Sequence, residues 1–373
     1  MTESSAFDRA LDRVGTSDRQ RPRDMRPLAR MASCADLPER ETVVQAAAGE
    51  MQPGFLLDGR FLVREVVGRS GMATIYLATD QDLGGDVAVK VPLMKIESDP
   101  VSFGRFEREG RIGVALSDPL LLGFKAPDPR RSRPYIVTEF LDGCTLAWVM
   151  RRTRPLAEDD ALGIASALCD ALRHMHGRGF IHRDLKPDNV MVCRDGRLCL
   201  MDFGLAAEID EGRGFLAGLA PLFGTPEYMA PEQVANKRND ERTDVYCVGV
   251  ILYEMLTGQL PFVAEDPWEA AHMRVSGDPV SLRSINPAIS EETEEIVLHA
   301  MRRDPSERFP SVAALKAELD EPHRVHVTGL SQRLRAPRFR LSLQGTPILS
   351  GIIIGVGALA LMVGIFVLLI RHK

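Results

Sequence analysis

The patterns missing from this 373-residue chain narrow its class before anything else does. Its six cysteines, at 34, 144, 169, 193, 199 and 247, form no C-x-x-C pair and no cluster with histidine. That spacing speaks against a zinc module or a disulfide framework and for reduced thiols in a cytosolic domain. No G-x-x-x-x-G-K-[ST] is present, which excludes a P-loop nucleotidase, and neither G-x-S-x-G nor H-E-x-x-H occurs. No internal repeat of roughly 20–50 residues is found. After Glu321 there is no acidic residue, only Arg324, Arg333, Arg335, Arg338, Arg340, Arg371 and Lys373. The first 321 residues therefore hold 39 basic and 52 acidic side chains. So acidic a body argues against a nucleic-acid partner.

The opening "MTESSAFDRALDR" lacks an apolar core and does not read as a signal peptide. Residues 1–53, with prolines at 22, 27, 38 and 53 and the single aromatic Phe7, are expected to form a disordered extension. At the other end, Ile348 to Ile370 carries no charge. As a helix it is about 35 Å long, enough to span a bilayer. A tail-anchored membrane protein is expected, with residues 322–347 as a basic juxtamembrane linker, 371–373 as a short basic tail and everything before the span in the cytoplasm. Gly351 and Gly355 stand four apart in that span, a spacing that lets two helices approach as a homodimer.

Between these ends lie two patterns. Short β-like runs at 61–67, 73–79, 86–91 and 135–140 are interrupted by one expected helix around 102–116. From about 141 the pattern turns helical. "EDDALGIASALCDALRHMH" places residues 161, 164, 165, 168, 172 and 175 on one apolar face, opened by three acids at the positive end of the helix dipole. "VMVCRDGRLCLM" reads as a hairpin around Asp195-Gly196, and "DVYCVGVILYEML" as a helix buried all round.

The chemistry-bearing motifs occur in a fixed order. "VAVK" ends at Lys90, "FEREGRI" carries Glu109, "HRDLKPDN" runs from His182 to Asn189, and "MDFG" places Asp202 thirteen residues after Asn189. "GTPEYMAPE" follows, from Gly224 to Glu232. In order and spacing this set resembles the protein-kinase family, in its bacterial-type serine/threonine branch, over about residues 60–320. The resemblance implies an α+β, bilobal protein-kinase fold at 54–321, with a β-rich N-lobe to about 140 and a mainly helical C-lobe from 141, plus one C-terminal transmembrane helix.

It also implies roles. Lys90 reaches the α- and β-phosphates of ATP, and Glu109 fixes its direction. Asp184 orients the substrate hydroxyl and accepts its proton, with Lys186 beside the transferred phosphoryl. Asn189 and Asp202 hold Mg²⁺, two ions, with Mn²⁺ as a substitute. Thr138 is the gatekeeper of a hinge in which Glu139 and Leu141 offer backbone groups to adenine, and Ala88 and Ile75 cover the ring. Glu232 and Arg308 form a buried ion pair, and Asp244 holds the catalytic-loop backbone. Thr225 and "DLKPDN" point to serine/threonine hydroxyls of protein substrates, with a dual-specificity enzyme left open. A pseudokinase serving as an ATP-binding adaptor is the alternative, and the complete catalytic set weighs against it. A kinase-like enzyme of small molecules is disfavoured by the intact "GTPEYMAPE".

Two segments depart from the family pattern. The loop expected over the phosphates, Val67-Gly68-Arg69-Ser70-Gly71-Met72-Ala73, has Ser70 and Ala73 where G-x-G-x-x-G has glycine. Both are small enough for backbone N–H groups to approach phosphates, and a left-handed Ser70 would carry strain of about 1–2 kcal/mol. "LAAEIDEGRGFLAGLAPLFG", between Gly204 and Thr225, contains no serine, threonine or tyrosine. Glu208, Asp210 or Glu211 is expected to offer Arg183 the negative charge that a phosphate supplies elsewhere.

Overall fold

The computed structural model describes residues 50–208, 225–237 and 239–337. The N-terminal extension up to residue 49, Asp210 and Glu211, and the apolar run 348–370 lie outside the described residues. Among the described residues no helix is long and apolar enough to cross a membrane.

Five antiparallel strands form the N-lobe sheet in sequence order: β1 (Leu56–Leu57), β2 (Phe61–Arg69), β3 (Ala73–Asp80), β4 (Asp86–Pro92) and β5 (Ile136–Glu139). Strand β2 slips register against β3 twice, between Val63 and Glu65 and between Val66 and Gly68. Such bulges bend a strand and add twist. Phe61, Val63, Tyr76, Val89 and Val137 fill this lobe's apolar core. At its edge the fully buried Asp80 accepts two hydrogen bonds from Arg60, both at 2.9 Å, and one from Lys125 at 2.8 Å.

Helices α1 (Met94–Glu97) and α2 (Pro100–Ala115) follow β4. Helix α2 starts where Asp99 accepts the Ser102 N–H at 3.1 Å and Pro100 enters the first turn. Ile112 and the capping residue Leu116 belong to the C-lobe core, and Gly110 faces Ile136 of β5, so the helix that carries Glu109 rests on both lobes. At Gly113 an added Cβ would lie 2.4 Å from the Phe124 ring, so this glycine permits the close approach.

The C-lobe opens with β6 (Gly143–Thr145), α3 (Leu146–Arg152) and α4 (Glu158–Gly177). Then come β7 (Phe180–Ile181), β8 (Val190–Cys193), β9 (Leu198–Leu200) and β10 (Ala207–Glu208). Strands β8 and β9 pair around Asp195-Gly196, where Gly196 takes φ 83°. The helices that complete it are α5 (Pro231–Val234), α6 (Arg242–Thr257), α7 (Pro267–Ser276), α8 (Leu282–Ile285), α9 (Glu291–Ala300) and α10 (Val312–Asp320). Helix α6 is buried from Thr243 to Thr257 and ends at Gly258 with φ 73°, a left-handed cap.

Residues 322–337 run back along the helical lobe as a strap. Glu295 of α9 accepts the backbone N–H groups of Thr328 at 2.9 Å and Leu330 at 3.0 Å, and also the Thr328 hydroxyl. Asp278 accepts the Arg335 N–H at 3.0 Å, and its own N–H donates to the Arg335 carbonyl at 2.8 Å. Gly277 has no room for a side chain, because a Cβ there would sit 2.3 Å from Pro337.

Candidate active site

Between the lobes lies a cleft of about 1100 Å³. Lys90 projects from β4 into it, and its Nζ donates to both Glu109 oxygens at 2.7 Å. Burial disfavours charge on Lys90, but Glu109 and Asp202 together hold the ammonium above its ordinary value. Asp202 has a left-handed backbone, φ 63°, and accepts the Gly204 N–H at 3.2 Å. Burial pushes its carboxyl up, yet Lys90 and the Gly204 N–H outweigh it and hold Asp202 below the usual carboxylate value. Phe203, fully buried, packs against Phe124 and His182 and seats the loop that carries Asp202.

The catalytic loop hangs from one buried carboxylate. Asp244 of α6 accepts the N–H groups of His182 at 2.9 Å and Arg183 at 3.0 Å, and lies 2.8 Å from His176 Nε2. This support holds Arg183 at φ 66°, a conformation that non-glycine residues rarely adopt unaided. Asp184 then faces the cleft. Burial raises its pKa above the usual value, with Lys186 at 3.4 Å opposing the shift. Lys186 also donates to the Thr225 hydroxyl at 2.7 Å. Asn189 donates its side-chain N–H to the Asp184 carbonyl at 2.8 Å, which leaves its amide oxygen as the ligating end.

Of the residues expected around the nucleotide, Val67, Arg69, Ser70 and Met72 line the cleft from the β2–β3 hairpin. Ile75, Ala88, Glu139 and Leu141 line it from the strands and the hinge. Gly68, Gly71 and Ala73 belong to the same hairpin, with Ala73 fully buried in it. Ser70 is not left-handed; among the described residues that backbone occurs outside glycine only at Asp58, Arg183, Asp202 and Asn236. The strain considered for Ser70 is therefore absent. The Thr138 hydroxyl donates to the Glu139 carbonyl at 3.0 Å, while the Glu139 carboxylate is engaged by Arg197 at 3.0 Å. Glu208 ends β10, exposed, and its neighbours Asp210 and Glu211 lie outside the described residues.

Glu232 and Arg308 meet in two hydrogen bonds of 2.8 and 2.7 Å, and both are buried. Sequence reasoning missed a second arginine nearby. Arg274 of α7 is fully buried, and its guanidinium donates to the carbonyls of Pro226 at 3.0 Å, Glu227 at 2.7 Å and Met229 at 2.6 Å. It fixes the backbone of "GTPEYMAPE" from below. Nothing in the sequence marks one arginine in a mixed helix for this task. Also missed were Leu122, Met191 and Met201, the apolar floor of the cleft, and Arg105, which lines it one helical turn before Glu109. Met191 and Met201 could have been found, since they adjoin the "DN" and "DFG" motifs.

A two-lobed chain with a paired lysine, a suspended catalytic loop and a carboxylate at the cleft floor has the architecture of a protein kinase. The protein kinase domain family matches residues 61–319, and the chain belongs to it. It is 35% identical over 271 residues to the serine/threonine-protein kinase PknB of Mycolicibacterium smegmatis, covering 72% of this chain and 43% of that one. A probable serine/threonine-protein kinase PknB of Lactococcus lactis is 33% identical, over 72% of this chain and 43% of its own. The chain thus spans less than half the length of these curated relatives. The kinase domain of Mycobacterium tuberculosis PknI matches with a TM-score of 0.58 at 25% identity, over 73% of this chain and all of that structure.

Proposed function

We propose that the chain is an ATP-dependent protein serine/threonine kinase, tethered to a membrane through residues 348–370. The observation that carries the catalytic reading is the hydrogen-bonded Lys90–Glu109 pair with Asp202 beside it, lining the same cleft as Asp184 and Asn189. Lys90 anchors and neutralises the α- and β-phosphates, and Glu109 holds the lysine in place. Asp202 and Asn189 present a carboxylate and an amide oxygen, hard donors that would hold Mg²⁺. A cation held there would supply screening of the charge on the transferred phosphoryl group.

Asp184 takes the proton of the substrate hydroxyl as that oxygen bonds to the γ-phosphorus. The bond from the γ-phosphorus to the bridging oxygen breaks, and ADP leaves. Lys186 steadies the phosphoryl group, and its bond to Thr225 ties the catalytic loop to the segment on which a peptide would dock. That link supports serine/threonine substrates. The basic residues between Arg324 and Arg340, followed by the uncharged run, support the membrane tether.

The test incubates the full chain in detergent with labelled ATP and Mg²⁺ beside Asp184→Asn. Label on the chain or on generic protein substrates, lost by about a hundredfold or more in the variant, is the expected result. Absent labelling in both would turn the reading to an ATP-binding adaptor, and equal labelling would remove Asp184 from the catalysis.

A further inference from the structure

The turn of the β2–β3 hairpin is closed by a side chain. The Ser70 N–H donates to the Ala73 carbonyl at 2.9 Å. The Ser70 hydroxyl oxygen accepts the N–H of Ala73 at 3.0 Å and the N–H of Met72 at 3.2 Å, and its own hydrogen reaches the Ala73 carbonyl at 3.2 Å. This is the local serine-to-backbone bonding that competes with other uses of the same N–H groups. The stem below the turn is stapled as well. The Glu50 carboxylate grips Arg69 at the end of β2 with contacts of 2.8 and 2.7 Å, and accepts the Thr74 hydroxyl of β3 at 3.2 Å. The hairpin is thus a closed, braced turn, with Ser70 and Met72 facing the cleft.

We propose that Ser70 is a positioning residue that sets nucleotide affinity, its hydroxyl competing with the phosphates for the N–H groups of Met72 and Ala73. This rests on the kinase reading, in which the hairpin offers backbone N–H groups to phosphate oxygens. A glycine at this position brings no acceptor of its own. Here the phosphates displace the hydroxyl from two N–H groups before they can use them. The opening is local: Gly71, between Ser70 and Met72, has nothing within 4 Å of where a Cβ would stand, so the turn has space to rearrange. The adenosine portion of the ligand makes no demand on these N–H groups.

The discriminating measurement is calorimetric titration of the full chain in detergent with ADP and, separately, with adenosine. It compares the unaltered chain with Ser70→Ala and Ser70→Thr. Releasing the two N–H groups is expected to tighten ADP binding by roughly threefold to tenfold in Ser70→Ala, from a net hydrogen-bond worth of about 0.5–1.5 kcal/mol. Adenosine binding should stay as it was, and Ser70→Thr, which keeps the hydroxyl, should restore the original ADP affinity. An ADP-to-adenosine ratio in Ser70→Ala equal to that of the unaltered chain overturns the proposal. Weaker ADP binding also overturns it, since the hydroxyl would then be a phosphate donor. If Ser70→Ala fails to bind adenosine, Ser70→Gly takes its place and is judged by the same ratio. Failure of the unaltered chain to bind ADP would sink the kinase reading itself, a distinct result.

Discussion

Single carboxylates do several kinds of work in this chain, and their surroundings decide which. Burial pushes the Asp184 carboxyl up against the opposing Lys186, whereas at Asp202 burial is outweighed by Lys90 and the Gly204 N–H, which hold it low. The bonds of Asp80 to Arg60, outweighing burial, together with those to Lys125, hold its carboxyl well below the ordinary 3.8. A carboxyl lowered on folding contributes stability that is present above the unfolded value and is lost as pH falls through the folded one. Asp80→Asn should therefore lower the urea midpoint at neutral pH. The cost is about 2 kcal/mol, less than for a fully buried pair because both cations keep water. The gap between variant and original should hold down to about pH 4 and narrow below it. A gap that stays constant to the acid limit would assign the loss to packing instead.

Elements carry these residues, and here α2 matters most. It holds Glu109 against Lys90 while its other end is embedded in the C-lobe core, and Gly113 sets how close it comes to Phe124. Gly113→Ala should push the helix outward, at a cost of about 1–3 kcal/mol, and loosen the Lys90–Glu109 pair. Activity measured as kcat/KM is expected to fall about tenfold or more. Shortening Phe124 to leucine in the same chain should recover much of it, whereas no recovery would place the defect elsewhere.

The sequence already showed helix α2, the β8–β9 hairpin and the four strands that follow Phe61, because each has a strong period or a turn signal. It did not show the Gly113–Phe124 contact, which joins positions eleven apart with no shared motif. The order of the VAVK, HRD and DFG motifs made Lys90, Asp184, Asn189 and Asp202 legible, since motif spacing survives without coordinates. Arg274 was illegible for the opposite reason: its partners are backbone carbonyls, and any sequence supplies those.

At the scale of the whole molecule, the strap 322–337 is held against the helical lobe. Three hydrogen bonds to Glu295 and two to Asp278 fasten it. A chain ending at residue 321 should melt lower than one ending at 337, by roughly 2–6 °C for about 1–2 kcal/mol. Glu295→Gln should lower the melting point of the longer chain and leave the shorter one nearly unchanged. Equal effects in both would mean that Glu295 serves α9 and not the strap.

Helix α7 is gripped at both ends of one short stretch. Arg274 is bonded to Pro226, Glu227 and Met229, and three residues on, Gly277 lies flush against Pro337. In mechanical terms this makes α7 a lever with a very short arm. Tension on the chain beyond Pro337 is borne first as shear across the Asp278 and Glu295 hydrogen bonds. Any displacement that survives them arrives at the Pro226–Met229 backbone within a single helical turn.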